Sequence, residues 1–571
     1  MTSSYCDSYH LSQTLRISDK SIVAQGTFSE EAFLNFGFVI DNRNCIGCHA
    51  CTVACKSEHD VPIGVNRTWV KYVEKGQFPD TRRVFSVMRC NHCENAPCVE
   101  ICPTQALYTR PDGIVDFNNE RCIGCKSCTQ ACPYDAIYID PENHTAAKCN
   151  YCSHKVDNGI QPACVTVCPT EAIISGDLDD PGSKIANLVA RQQVTARKPE
   201  KGTRPKLFYI EGDDVSLKPL ETEHSGQSLW GSQESGVGHH SGKDHGHSVS
   251  FGAGNPENSR NPSNPGNIEN SVPLNGGLSG GSRPSRRVYD APSKGILWGW
   301  EVAGYILTKA LAAGILGMPL LLNQLGLVSL SSEMLWITSL VSLIFLAATG
   351  VLLIKDLDQP SRVLYVLLRP HWKSWLVRGG YTITVYGGLV TLLGAAHFFG
   401  YAEMANWLVW PILAVSTLLA IYTAFLFAQA KGRDFWQSPL LILHMLLHAV
   451  VGGCAALLLA GFLWESITPM IPYLQNILIG GLVVQVFSLG AELIIPHPTE
   501  DSHRTVKIIT RGFFKSQFWF GVILVGSLLP FLMLLWSTTP LMLALAGILV
   551  LIGIWYSVRI WVVAPQMIPL S

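Results

Sequence analysis

From about residue 297 onward the apolar positions stop alternating with polar ones and run together. Eight segments, centred near Leu311, Ile344, Gly388, Val415, Leu457, Val484, Val525 and Leu549, are long enough to cross a bilayer as helices. The loops between them alternate in charge. On the side of the N-terminus they carry Lys355, Arg362, Arg369, Lys373 and Arg378, then Lys431 and Arg433, then Arg504, Lys507, Arg511 and Lys515. Arg283, Arg286, Arg287 and Lys294 precede the first segment, whereas the opposite loops carry no Lys or Arg. An even number of crossings puts both ends on one side, and the positive-inside rule makes that side the cytoplasm.

The pattern before this half is different. From Ser225 to Arg287 the chain is mostly Gly, Ser, Asn and Pro with almost no apolar periodicity, a composition that buries too little surface to fold. A disordered tether is expected there, one that lets the two halves dock without strict geometry and suggests two subunits joined in one polypeptide. Its His239, His240, His245 and His247 read as a solvated run, since no cysteine or carboxylate cluster accompanies them. The first residues, MTSSYCDSYHLSQTLRISDK, have no apolar core and no twin arginine, so no signal peptide of the protein's own is expected. The expected organisation is an N-terminal extension (1–35), a cysteine-rich domain (36–215), a disordered linker (216–292) and an eight-helix membrane domain (293–565).

Cysteine usage changes the picture most. Of 18 cysteines, 17 lie before residue 169. CIGCHACTVACK from Cys45 and CIGCKSCTQACP from Cys122 both space four cysteines as C-x2-C-x2-C-x3-C, the run that holds an iron–sulfur cluster. Sixteen cysteines form four groups: Cys45, Cys48, Cys51, Cys55; Cys90, Cys93, Cys98, Cys102; Cys122, Cys125, Cys128, Cys132; and Cys149, Cys152, Cys164, Cys168. Disulfides would not explain regular C-x-x-C spacing, and zinc prefers paired knuckles to three cysteines in one turn. In two-cluster ferredoxins the last cysteine of a run ligates the other cluster. Cys6 is spare. A net charge of −1 offers no basic excess for nucleic acid.

On these runs the domain resembles the four-cluster iron–sulfur subunits of membrane-bound molybdenum oxidoreductases such as polysulfide and dimethyl sulfoxide reductases. The resemblance implies an α+β ferredoxin-like double [4Fe–4S] domain in which the first run pairs with the fourth and the second with the third. Its four [4Fe–4S] clusters would take Cys45, Cys48, Cys51 and Cys168; Cys149, Cys152, Cys164 and Cys55; Cys90, Cys93, Cys98 and Cys132; and Cys122, Cys125, Cys128 and Cys102. It also implies a separate molybdenum or tungsten bis-pterin catalytic subunit, since no such domain fits in this polypeptide.

Polar groups inside membrane spans need a reason. Glu301, Tyr305, Thr308 and Lys309 fall within about a 100° arc of a helix, as an internal ion pair or as a proton or quinone site. The loop KDLDQPSRVLYVLLRPHWKSWLVRGG adds Asp356, Asp358, Pro360, Arg362, Arg369 and Pro370. With WGWEVAGY and ALAAG it resembles the haem-free, eight-helix membrane subunit of the polysulfide reductase (NrfD) family, which implies bound menaquinone, or ubiquinone, close to the nearest cluster. Well-known members of that family hold their iron–sulfur partner in the periplasm; here the charge bias predicts the inverted arrangement in a bacterial or archaeal inner membrane. His397, His444 and His448 stand in apolar surroundings; relay, quinone contact, packing or axial ligation across facing helices are open to them, although the family implies no haem. Glu492 is a further proton-path candidate, and Cys454 reads as core.

The expected whole is this ferredoxin-like domain fused through the linker to an all-α eight-helix transmembrane bundle. It would pass electrons between quinone and the catalytic partner, with Glu301, Tyr305, Lys309, Asp356, Asp358, Arg362 and His397 as quinone or proton residues. The alternative is an ion-translocating or haem-bearing module without a quinone site. Substrate and direction belong to the partner.

Overall fold

In the computed structural model, which describes residues 34–76, 78–224 and 285–571, the two C-I-G-C runs fold alike. Gly47 and Gly124 have φ of 71° and 69°, and His49 and Lys126 follow at 61° and 59°. Two left-handed residues turn the chain back on itself, and a short helix starts at once, Ala50–Glu58 in one run and Ser127–Ala131 in the other. The left-handed region favours glycine, and at Gly124 crowding demands it as well: a Cβ would stand 2.6 Å from that of Asp358.

The cysteine-rich domain is α+β. β1 (Phe36–Asp41) is flanked by antiparallel β8 (Ile173–Asp177) and parallel β10 (Leu207–Ile210), with β9 (Val194–Thr195) outside β10. The buried Phe38 and Ile40 of β1 face a core shared with Cys51, Cys164 and Trp69. A second sheet runs β11 (Glu223–His224), β12 (Ser285–Tyr289), β2 (Thr68–Lys75), β3 (Arg82–Arg89). Two small hairpins, β4–β5 (Leu107–Thr109, Val115–Phe117) and β6–β7 (Ile137–Ile139, Ala146–Lys148), lie between cysteine runs in the ferredoxin manner. The stretch read as linker is described only at its ends. There β11 and β12 extend the second sheet, held by a Trp69 Nε1 bond to Asp290 and an Arg287–Asp290 ion pair, each near 2.8 Å. The body of the tether with its four histidines, the N-terminal extension and Cys6 lie outside the described residues.

Among the described residues eight helices are long and apolar enough to cross a membrane: Trp300–Gln324, Ser332–Lys355, Trp375–Phe398, Ala405–Gln429, Leu440–Gly461, Glu465–Ile494, Gln517–Trp536 and Pro540–Met567. The protein is a multi-pass membrane protein. The first helix is the most deeply surrounded, packing against the second, fourth, fifth and eighth. Its approach to the fifth is close enough that a Cβ on Gly314 would lie 2.0 Å from the Ala449 carbonyl and 2.8 Å from Gly453 Cα, the small-residue contact by which membrane helices gain van der Waals contact.

All the lysine- and arginine-bearing loops meet on one side, against the iron–sulfur domain. Trp298 reaches Cys125, Ser374 reaches Ile101, Arg433 reaches Gln130, and Arg504 reaches the Leu220 carbonyl. The seam is specific, in contrast to the loose docking expected of a tether. Gln566 accepts from Gln130 and from the Leu297 and Trp298 backbone. Arg433, buried, donates to Gln130 and to the Pro565 and Ile568 carbonyls. The last residues, past the expected domain end at 565, tuck beneath the domain, where Arg197 donates to the Leu570 carbonyl at 3.2 Å. One buried apolar network continues from Ile101, Leu107 and Ile137 through Trp298 into the first span.

Candidate electron-transfer chain and its membrane contact

The structure gathers the sixteen cysteines, none in a disulfide, from distant runs. Cys45 lies within electrostatic reach of Cys48 and Cys168, and Cys51 of Cys45. Cys55 faces Cys149, Cys152 and Cys164. Cys98 faces Cys90, Cys93 and Cys132, and Cys128 faces Cys102, Cys122 and Cys125. We call these quartets the distal, second, third and membrane-side sites. Their order follows from which quartets lie within electrostatic reach of one another: Cys51 of Cys164, Cys149 of Cys90, and Cys128 of Cys98. The last two quartets each line a cavity of their own. Four sulfur donors to a site, mostly buried around such space, fit a [4Fe–4S] group. Burial, reinforced by neighbouring sulfurs, pushes the thiols up, Cys51 to about 11 and Cys125 to about 12. Cys51 and Cys125 are therefore protonated without metal at neutral pH, and metal binding there must release protons.

At the distal site Thr170 Oγ1 lies 3.9 Å from Cys168 Sγ, whereas at the second site sulfur is reached by an arginine and a histidine. Arg89 Nη1 donates to Cys164 Sγ at 3.1 Å, and His59 Nε2 lies 3.1 Å from Cys152 Sγ. Arg89 is fully buried; burial pulls its guanidinium down, but Cys164, Cys149 and Cys51 outweigh that and hold it up. Burial lowers His59 to about 4, so it is a neutral hydrogen-bonding group at pH 7.

The membrane domain grips the membrane-side quartet by its backbone. His371 Nδ1 donates to the Cys102 carbonyl at 2.8 Å, Arg362 to that of Cys122 at 3.0 Å, and Trp298 Nε1 to that of Cys125 at 3.2 Å. The 358–359 backbone bonds Gly124 and Ile123 of the C-I-G-C turn. The buried Lys126 pairs with Asp358 at 3.2 Å and Asp356 at 3.6 Å and donates to the Asp356 carbonyl. Burial pushes the Asp356 carboxyl up to about 7; Lys126 opposes this, while Asp358 and Glu301 add to it.

Most of the expected membrane residues converge here. Glu301, buried, pairs with Lys355 at 3.7 Å and lies within electrostatic reach of Asp356; Tyr305 lies within reach of Asp356 as well. Lys309 takes a different course. Completely buried, it donates to Thr423 Oγ1 and the Ala420 carbonyl and sits 4.3 Å over the Tyr422 ring. The shared helical face is real, but Glu301 and Lys309 do not form the ion pair that was one reading of it. His397 stands apart. At about 1.5 Å per residue it lies roughly 33 Å along its helix from the iron–sulfur side, against about 6 and 12 Å for His444 and His448, and its partner is Ser332 at 3.3 Å. It is therefore not a facing axial partner for the other two. His444 lies 4.0 Å from Glu492, which accepts from Ser438 at 2.7 Å, and His448 lines a small cavity with it. Arg89, His59, Lys126, His371 and Ser374 are site residues that no sequence pattern singled out; only the place of Lys126 inside a cysteine run hinted at a role.

Family comparisons agree with both halves. The 4Fe–4S dicluster domain matches residues 44–107 and again 82–178, and the polysulphide reductase NrfD domain matches residues 290–569. Among curated proteins this one is similar to a tetrathionate reductase subunit of Salmonella typhimurium, 45% identical over 189 residues, which cover 32% of this protein and 76% of that one. It is similar to a polysulfide reductase polypeptide of Wolinella succinogenes, 45% identical over 180 residues, 31% of this protein and 93% of the relative. Protein NrfC of Escherichia coli is 42% identical over 180 residues, covering 31% and 81%.

Proposed function

We propose, from the premise that this protein belongs to the 4Fe–4S dicluster family of tetrathionate and polysulfide reductase subunits and carries an NrfD domain on the same polypeptide, that it joins membrane quinone to a separate molybdenum or tungsten bis-pterin catalytic subunit. The four quartets are its [4Fe–4S] ligands, one cluster to each. Bound clusters of this kind carry single electrons, whereas quinone exchanges two electrons and two protons. The protein's own residues supply the rest. The observation that carries the reading is the direct bonding of His371, Arg362 and Trp298 to the backbone of the membrane-side ligands, beside a buried set of ionisable groups.

In this reading Trp298, Arg362, His371 and Lys126 hold the membrane-side site against the bundle. Asp356 exchanges the protons that accompany quinone chemistry, since a carboxyl near pKa 7 can take or release one at its Oδ atoms at neutral pH, and Glu301 stands within electrostatic reach beside it. Tyr305 stands within electrostatic reach of Asp356, and Asp358 keeps Lys126 in place. Lys309 lies deeper and acts through the bundle interior. The iron–sulfur domain faces the cytoplasm, as the positive-inside rule asks of loops that all gather on its side; a reporter at the C-terminus should be cytoplasmic, and periplasmic activity would reverse the orientation.

The deciding experiment reduces the anaerobic protein with dithionite, removes the excess, adds a menaquinone analogue and follows cluster absorbance. Rapid reoxidation that fails in Glu301→Ala is expected. Clusters that stay reduced under excess quinone remove the quinone from the reading. A second reading, an ion-conducting bundle without a quinone site, draws on the buried Glu492, His444 and His448 and on Ser438 beside them.

A further inference from the structure

We infer that Arg89, assisted by His59, is a positioning residue that makes the second site (Cys55, Cys149, Cys152, Cys164) easier to reduce, so that an electron rests one step inside the distal end of the row of sites. The inference depends on the cluster assignment proposed above. It goes beyond that assignment by giving one site a different redox character from its neighbours.

The hydrogen bond from a buried arginine falls on this quartet. Arg89 comes from the last position of β3, has no solvent exposure, and belongs to no ion pair with a carboxylate among the described residues. A buried guanidinium without a counter-charge is costly, so the opposite charge must come from what it faces. It faces sulfur: Cys164 at 3.1 Å, with Cys149 and Cys51 within electrostatic reach. Phe38 covers its other side, with the ring 4.5 Å from the guanidinium carbon. Among the described residues its Nε and Nη2 have no hydrogen-bond partner. A ligated Cys152 can only accept, so His59 Nε2 donates the second N–H to sulfur at the same site.

Buried cations elsewhere in the domain are spent differently. Lys148 donates to the carbonyls of Val115 and Cys149, Lys206 to Gly113 and Asn35, and Arg197 to the carbonyls of Leu217, Tyr134 and Leu570. None of these three donates to a ligand sulfur. Reduction adds one electron, supplied by the neighbouring site, and breaks no bond. A fixed cation and N–H donors at the sulfurs favour the more negative, reduced form, and hydrogen bonds to sulfur raise cluster potentials.

The test is an anaerobic potentiometric titration of the full-length protein followed by electron paramagnetic resonance, with iron and sulfide content measured alongside. In Arg89→Gln one cluster should become harder to reduce. At its wild-type midpoint the oxidised-to-reduced ratio should rise by about tenfold or more, which is about 59 mV for one electron. Arg89→Lys should recover part of the shift, His59→Phe should move the same signal less, and Cys164→Ser should alter that signal and no other. Full iron content with every midpoint unmoved in both Arg89→Gln and His59→Phe overturns the inference. If Arg89→Gln loses iron, His59→Phe decides alone: a shift of one midpoint supports it, and no shift overturns it. Wild-type protein without four [4Fe–4S] signals would remove the assignment underneath, a failure visible before any variant is made.

Discussion

The two halves of this protein bury charge for opposite purposes. In the iron–sulfur domain, Arg89, Lys148 and Lys206 lie among sulfur and carbonyl groups in the middle of the row of quartets. In the bundle, Glu301 gathers with Asp356, Asp358 and Lys126 at one end, against the membrane-side quartet. The first arrangement suits movement of electrons alone, because fixed cations stabilise added negative charge without changing protonation. The second places carboxylates where burial and like charge compete with one cation, which suits proton exchange. The boundary between them is one residue wide: Lys126 follows a cysteine of the C-I-G-C run and neutralises carboxylates of the membrane loop.

The most severe way to break the contrast is to remove the membrane-side site. Cys125→Ser should lower iron by about a quarter, one [4Fe–4S] group in four, and abolish reoxidation of the remaining clusters by quinone. Reoxidation at the wild-type rate would mean that electrons leave elsewhere. Breaking the boundary itself is next. Lys126→Met removes this cation from the buried Asp358 and the half-buried Asp356 and should cost about 3–5 kcal/mol, read as a lower unfolding temperature and faster proteolysis at the domain seam. An unchanged transition would show that the pair is dispensable for docking.

A perturbation confined to the bundle should be milder and should leave cluster spectra alone. Gly314→Ala drives a methyl into the Ala449 carbonyl and should lower bundle stability by about 1–3 kcal/mol with iron content unchanged. The smallest effect concerns pH. Asp356 binds its proton more tightly folded than unfolded, its pKa rising from 3.8 to about 7. The folded state therefore holds more protons between those values, and stability present at low pH is lost as pH rises through about 7. Asp356→Asn should flatten this slope, seen as unfolding midpoints that vary less between pH 4 and 7; a slope identical to wild type would place the titration on another group.

The cysteine runs were legible because ligand spacing in a tight turn is a local property, and Gly47 and Gly124 had to be glycine for the turn to close. The eight spans were legible because a bilayer demands about 20 apolar residues in each helix. Pairing of runs far apart in sequence rested on family resemblance, not on spacing. The helical face of Glu301, Tyr305 and Lys309 was also legible, since periodicity fixes which residues share a face. Partners on that face were not: Glu301 turned to Lys355, and Lys309 to Thr423 and Ala420. His397 was grouped with these residues by chemistry alone, and its position at the far end of its helix parts it from them.

Sequence by itself determined the kinds of group present, the thiols at ligand spacing and the apolar spans with basic loops on alternate sides, because each depends on neighbours within a turn or a helix. Tertiary structure alone decided the order of the quartets, the burial of Arg89 against Cys164, and the choice of membrane-side site. Those depend on contacts such as Trp298 with Cys125, 173 residues apart, which no local pattern encodes.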